Sequence, residues 1–327
     1  MNSPPQVKIL TDISIPQSKL WQEKTDNIRK AIKINIVGIA STPLFLGLLM
    51  FLRRNKYDVI ITANLRTVFI VGLLQYFFRK KKCKHICLEM MLDEEKSSFF
   101  WLLKRFFQRK SFSQMDCIFV SSKSEIKTYS SRLNISPNKF QFLPFHTNIV
   151  EPRISEETED YIFSAGRTER DYSTLIQAVK GLDHKLVIVT DKINVEKIRD
   201  GPGAEFLIDL PYQEYLKLLN KAKIVVIPLN PVVKSTGQVV MLEAMALGKP
   251  VIASRVTGSL DYIEDGVNGL LVNPKDVLDL RNKIVWLLDN PDRALEIGKK
   301  GFHFVKGNLT FEKYVATVLK GAYSLKT

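Results

Sequence analysis

One stretch limits the folds open to this chain more than any other: STGQVVMLEAMALGKPVIAS, residues 235–254. It reads as loop, helix, turn and strand. Ser235, Thr236 and Gly237 form a loop of small residues. Val239, Val240, Leu242, Ala244, Met245 and Leu247 then cover most of a helix surface, so the helix is expected to be buried nearly all round. Gly248 ends it and Pro250 prevents its continuation. The apolar run Lys223–Leu229 before the loop and Val251–Ala253 after the turn read as strands. Strand, loop, buried helix and strand make one βαβ unit, which requires a parallel sheet.

That unit has a chemical consequence. The first amides of a helix have no partner within it, and the macrodipole adds partial positive charge there. A loop of Ser, Thr and Gly lets a ligand approach the backbone, so Ser235–Val239 reads as an anion site at the C-terminal edge of a parallel sheet. One carboxylate, Glu243, lies in the helix six residues after Gly237. Two readings stand: a half-exposed helix glutamate, or a carboxylate accepting hydrogen bonds from sugar hydroxyls beside a phosphate.

The segment LEAMALGKPVIAS, followed by TGSLDYIEDGVNGLLVNPKD at 257–276, resembles the donor-site signature of the retaining glycosyltransferases of family 4. The resemblance implies the GT-B fold, with two doubly wound Rossmann-like α/β domains facing an interdomain cleft. Glu243 matches the second of two family glutamates, which holds the nucleotide ribose. Ser235 stands where the first, near the donor sugar, is usual. Gly166 and Arg167 resemble the family's strand-end Gly-Arg, and Arg170 replaces its usual lysine. Both arginines would then neutralise a donor diphosphate, a task that suits guanidinium. Their bland alternatives are a linker-facing salt bridge for Arg167 and a helix-entry charge for Arg170. Leu210 and Tyr212 match the region that contacts the nucleotide base. Glu89, near Asp93 at the end of the strand-like HICLEMM, is an acceptor-side catalytic candidate on the same resemblance; a capping or loop role is the alternative. The resemblance thus implies a metal-independent hexosyltransferase with no cofactor beyond its nucleoside-diphosphate-sugar donor, and no Asp-any-Asp metal motif suits that diphosphate. Its acceptor is expected to be a lipid-linked or membrane-proximal glycan of cell-surface polysaccharide or glycolipid synthesis. Ser235 keeps open a non-catalytic sugar-nucleotide-binding subunit.

Charge is informative because of where it lies. Residues 1–150 hold 24 Lys and Arg against 10 Asp and Glu, whereas the remainder has 24 of each. The whole net charge of +14 therefore sits on one half, which should face an anionic partner. Within that half, SSFFWLLKRFFQRKSF at 97–112 interleaves Phe99, Phe100, Trp101, Leu102, Leu103, Phe106 and Phe107 with Lys104, Arg105, Arg109 and Lys110. An interfacial membrane helix and an ordinary core helix both fit. Nucleic-acid binding is disfavoured, because so much bulky apolar surface comes without a recognised motif. Pro43–Leu52 is apolar but too short to span a bilayer, which takes roughly 20 residues. It reads as a helix packed on a sheet or dipping into a membrane.

The chain is long enough for two domains. We expect 1–150 to form the first, joined by a returning helix at 310–327, and 151–309 the second, with a linker at the acidic Glu151–Asp160. Residues 7–15, 32–40, 57–63, 85–91, 117–122 and 185–190 read as strands; 21–31 and 65–78 read as helices, the latter followed by the basic run 79–82. The first residues lack a basic region followed by an apolar core, so no secretory signal is expected. Cys83, Cys87 and Cys117 cannot all pair and read as reduced thiols of a cytoplasmic protein, peripheral at the membrane in the membrane reading. The spacing of Cys83, His85 and Cys87 fits no common zinc pattern.

Overall fold

The computed structural model describes residues 7–31, 42–78, 83–92, 97–198 and 203–326. Twelve strands are assigned in it: β1 (Ile9–Thr11), β2 (Thr25–Asn27), β3 (Val59–Thr62), β4 (Lys84–Cys87), β5 (Cys117–Val120), β6 (Phe140–Phe142), β7 (Tyr161–Ala165), β8 (Lys185–Thr190), β9 (Glu205–Ile208), β10 (Ile224–Ile227), β11 (Val251–Ser254) and β12 (Leu270–Val272). The strands form two sheets of six, every pairing is parallel, and helices connect most of them. Central strands such as β3, β5 and β10 are buried at every residue, as parallel sheets covered on both faces require. Two α/β units result: Met1–Pro144 with Glu312–Thr327, and Phe145–Phe311.

The first unit orders its strands β2-β1-β3-β4-β5-β6. The segment 21–31, expected to be one helix, is instead a helix at Lys19–Lys24, the strand β2, and a short helix at Ile28–Ala31. Polar Thr25-Asp26-Asn27 carries little strand propensity; pairing with β1 imposes the extended backbone. The expected strand at 32–40, the basic run 79–82 and Asp93 lie outside the described residues.

Two helices of this unit expose much apolar surface. Pro43–Arg53 buries Leu46, Met50 and Phe51 but leaves Leu44, Leu48 and Leu52 exposed. Its Gly47 lets it approach the helix Leu65–Phe78, where a Cβ would stand 2.8 Å from Ile70. The helix Phe99–Phe112, capped by Ser98, buries only Ser111 and Phe112. Phe99 and Phe100 are 75% and 80% exposed, so the reading of 97–112 as an ordinary core helix is not what the structure shows. Only the last turn reaches the core, where Ser111 Oγ donates to the Phe69 carbonyl at 2.9 Å.

The second unit orders its strands β9-β8-β7-β10-β11-β12, the doubly wound order in which the chain reverses direction between β7 and β10. Its core packs on both faces of this sheet, with Phe163, Val225, Ile227, Leu242 and Met245 in one cluster. Burying a side chain such as Leu242 contributes about 1.5–3 kcal/mol. The segment expected as a linker is integrated here. Ser155 N donates to Leu247 O at 2.9 Å, Glu159 N donates to Lys221 O at 2.7 Å, and Ile154 lies against Gly248. Its polar, proline-broken composition therefore signals an irregular strap rather than a free connector. All three cysteines are buried thiols outside any disulfide. His85 is fully engaged in a buried chain of hydrogen bonds, Thr62 Oγ1 to His85 Nε2 at 2.8 Å and His85 Nδ1 to Gln75 Oε1 at 3.0 Å. No described helix is long and apolar enough to cross a membrane.

Candidate functional site

The site grows from two loops that leave the ends of β7 and β10, the adjacent strands at which the sheet order reverses. Open α/β sheets bind ligands at this point. The loop after β10 leads into the helix Gln238–Ala246, which is buried as its sequence requires. Gly237 occupies its N-cap at φ +91°, a left-handed value that favours glycine. A Cβ there would also stand 2.9 Å from Leu229. No side chain caps this helix. Around its uncapped end, Thr236 Oγ1 and Gln238 Nε2 are buried and lack a hydrogen-bond partner among the described residues. Their residues are only 8% and 7% exposed. Burying such groups without a partner costs about 1–3 kcal/mol each, so a water or a ligand atom that bonded to them would be stabilised there. Ser235 is buried beside them. Gly258 fixes the loop from behind: a Cβ at that position would fall 2.0 Å from the Thr236 carbonyl oxygen.

One turn further in, Glu243 is fully buried. Its Oε1 accepts from Asn148 Nδ2 at 3.0 Å and from the Tyr212 hydroxyl at 2.9 Å, and its Oε2 accepts from the Tyr215 hydroxyl at 2.7 Å. The half-exposed reading of Glu243 is therefore wrong: an apolar helix hides the carboxylate, and three donors satisfy it. Desolvation raises its pKa, and the bonds from Tyr215, Asn148 and Tyr212 oppose that rise. Burial, and after it the same carboxylate, push the Tyr215 and Tyr212 hydroxyls up.

The loop after β7 supplies the cations, in different ways. Gly166, at φ +125°, turns the chain. Its carbonyl accepts from the Tyr172 hydroxyl at 2.6 Å and Thr190 Oγ1 at 2.8 Å. Arg167 reaches outward and pairs with Asp209 at 2.8 Å. Both side chains are more than half exposed, so the pair is worth about 0–1 kcal/mol and is readily exchanged for a ligand. Arg170 folds back instead. Its Nε donates to Ala165 O and its Nη1 to Thr168 O, each at 2.9 Å. The left-handed φ favours glycine at 166, and a Cβ there would also meet this guanidinium at 2.2 Å. Desolvation lowers the Arg170 pKa, against a smaller rise from Tyr172 and Tyr215. Arg170 thus directs two of its five N–H donors at its own loop, which braces it.

A cavity of about 330 Å³ brings together Gly166, Arg167, Leu210, Tyr212, Val239 and Glu243. Arg170 and Ser235–Gln238 flank it rather than line it. Glu89 belongs to the first unit, two residues beyond β4, at φ +55°. It accepts a short hydrogen bond from the Tyr314 hydroxyl. Three contributors escaped the sequence reading: Asp209, Tyr215 and Asn148. Tyr215 was legible, because it follows Tyr212 by three residues and so shares its helix face. Asp209 sits at φ +52° after β9 with no local signature. Asn148 meets Glu243 across 95 residues of sequence, which no local pattern announces.

Residues 159–290 match the family model described as glycosyl transferases group 1. The chain is 31% identical over 184 residues to an uncharacterised glycosyltransferase of Methanocaldococcus jannaschii, covering 53% of this chain and 51% of that protein. It therefore spans about half the length of that relative. It is 28% identical over 283 residues to an uncharacterised 41.2 kDa protein of the cps region of Klebsiella pneumoniae, covering 78% and 75% respectively. The fold is similar to that of Anabaena HepE, crystallised with UDP, at a TM-score of 0.72 and 12% identity over 98% of this chain and all of that one. The fold is that of GT-B glycosyltransferases, two parallel-sheet Rossmann-like domains, and the match to group 1 glycosyl transferases lies in the second unit.

Proposed function

We propose that this chain is a retaining, family 4-type glycosyltransferase that moves a hexose-type sugar from a nucleoside-diphosphate sugar to an acceptor hydroxyl. The observation that carries the reading is the pair of orphaned buried groups, Thr236 Oγ1 and Gln238 Nε2, at the uncapped start of a buried helix beside the Glu243 cavity. A diphosphate placed there would meet the positive end of the helix and Arg167. Arg170, through its loop, would hold Arg167 in place. Glu243 would grip the ribose by trading the Tyr212 hydroxyl for a ribose hydroxyl. In the reaction the bond from the anomeric carbon to the diphosphate oxygen breaks. The acceptor oxygen bonds to that carbon on the same face, and the acceptor proton passes to the leaving phosphate. The positive charge that this step needs comes from Arg167 and the helix terminus, so the proposal uses no metal ion. HepE, crystallised with UDP and with UDP-glucose, makes UDP the first base to try. The basic, aromatic-rich first unit supports a lipid-linked or membrane-proximal glycan as acceptor, with the protein working peripherally at the cytoplasmic membrane face.

A second reading rests on Ser235, which occupies the position of the usual first glutamate: a sugar-nucleotide-binding subunit without turnover. A melting-temperature screen with UDP, GDP, ADP, CDP and dTDP and their common sugars tests the donor site, because a ligand bound only to the native state stabilises it. A response from one base supports the site, and transfer of that labelled sugar then separates enzyme from subunit. No response from a well-folded protein would sink the donor reading.

A further inference from the structure

A second cavity, of about 630 Å³, lies wholly within the first unit, between the helices Pro43–Arg53, Leu65–Phe78 and Phe99–Phe112. Its size falls in the ordinary range of small-molecule sites, roughly 300–1,000 Å³. Leu44, Leu65, Phe69, Ile70, Met91 and Trp101 make its walls apolar. Three cations, Arg66, Lys104 and Arg132, stand among them, and no carboxylate lines it among the described residues. Lys104 Nζ sits 4.4 Å from the centre of the Trp101 ring, which joins the charge directly to the apolar wall. Trp101 Nε1 is buried and makes no hydrogen bond among the described residues.

We infer that this cavity binds an amphiphile consisting of one apolar chain that ends in a phosphate. The lining decides between occupants. A peptide would bring a backbone amide and carbonyl with every residue, and of the lining side chains only Thr42 and Gln108 carry an oxygen that could accept from its amides. A chain of prenyl or acyl type has no polar group until its head, and the three cations match a phosphate head. The exposed residues Leu44, Phe99, Phe100, Leu102, Leu103 and Phe106 lie on the same helices that form the walls. They offer apolar surface to the part of a long chain that does not fit inside, and to the bilayer that holds it. The inference deepens the acceptor half of the proposed function, since a lipid-linked glycan presents this chemistry, and it is independent of the donor half.

Titration calorimetry with farnesyl phosphate tests it, using farnesol and inorganic phosphate as the two half-ligands. Farnesyl phosphate should bind at least about tenfold more tightly than either half. The double variant Arg66→Glu, Lys104→Glu should lose at least about tenfold in that affinity, and Met91→Trp should weaken farnesyl phosphate and farnesol together. All variants should keep the wild-type melting temperature and the wild-type response to UDP. Equal binding of farnesol and farnesyl phosphate would remove the phosphate from the proposal. Unchanged affinity in both variants would remove the cavity. Self-association abolished by the same variants, without farnesyl phosphate binding, would assign the surface to a second copy of the chain. Loss of the UDP response in the wild type, with farnesyl phosphate still bound, would overturn the donor reading alone.

Discussion

The two sheets of this protein are built on one plan, yet their switch points do opposite things. In the second unit, the loops after β7 and β10 carry Gly166 and Gly237, and they leave buried polar groups without partners. In the first unit, the corresponding neighbours are β1 and β3. The residue after β1 is Asp12, whose Oδ1 accepts from Ala63 N at 3.1 Å, just past β3. The carboxylate fills the space that glycine opens in the other unit. Desolvation raises its pKa, against the bonds from Ala63, Asn64 and Thr67. The lesson is local: the sheet supplies the crevice, and the residue type at each strand end decides whether a ligand or the protein itself occupies it.

The comparison breaks most severely if the glycine frame of the second switch point is not needed. Gly258→Ala forces its Cβ toward the Thr236 carbonyl and displaces the loop. We expect nucleoside-diphosphate binding to fall by about a hundredfold, the scale of an ångström misplacement, measured by calorimetry beside a melting curve. Retained affinity would mean that this loop does not touch the ligand. Next in size, Arg167→Ala should cost about tenfold in the same affinity, as expected for one charge-assisted contact. An unchanged value would leave Arg167 with only its exposed pair to Asp209.

Glu243→Gln is gentler. Tyr215 can turn its hydroxyl to accept from the new amide, so the fold should persist. Sugar-nucleotide binding should weaken by about threefold to tenfold, because neutral hydrogen bonds are roughly half as strong as charged ones. An unfolded variant with no change in ligand response would make Glu243 purely structural. The smallest effect concerns Asp12, where the comparison is sharpened. Its folded pKa lies above the unfolded value of 3.8, so the folded state holds the proton more tightly. The stability this lends is complete below the unfolded pKa and is lost as pH rises through the folded one. Asp12→Asn should flatten that part of the melting-temperature profile on the acid side and leave nucleotide binding untouched. An identical profile for the variant would show that the carboxylate is not desolvated.

Much of this was legible because the signals were local. The helix Leu65–Phe78 and the strand Lys185–Thr190 stand at the residues their patterns announced. Gly237 and Gly248 delimit the buried helix through left-handed backbone that few other residues adopt. What escaped depended on distant partners. β2 is an edge strand made of polar residues and extended only by pairing. The role of Arg170 turned on the carbonyls of its own loop, which sequence does not aim. The exposure of Phe99–Phe106 was ambiguous for another reason: an aromatic helix face looks the same in sequence whether or not anything covers it.

The helix Phe311–Ser324 has one further consequence. It completes the first unit, where a Cβ on its Gly321 would stand 2.8 Å from the Phe119 ring and Lys326 pairs with Asp58 at 3.1 Å. The middle of the chain therefore forms a unit whose every strand has been synthesised well before the earlier unit receives its last helix. On a ribosome, the order of finishing would reverse the order of starting, and the basic, apolar-faced half would be the last to close. A chain truncated after residue 311 and released should resist protease across 160–309 while 43–133 is still cut; equal resistance would mean that the closing helix is dispensable. A molecule with such a stitched topology delays its stickiest surface until its donor-binding half is already folded.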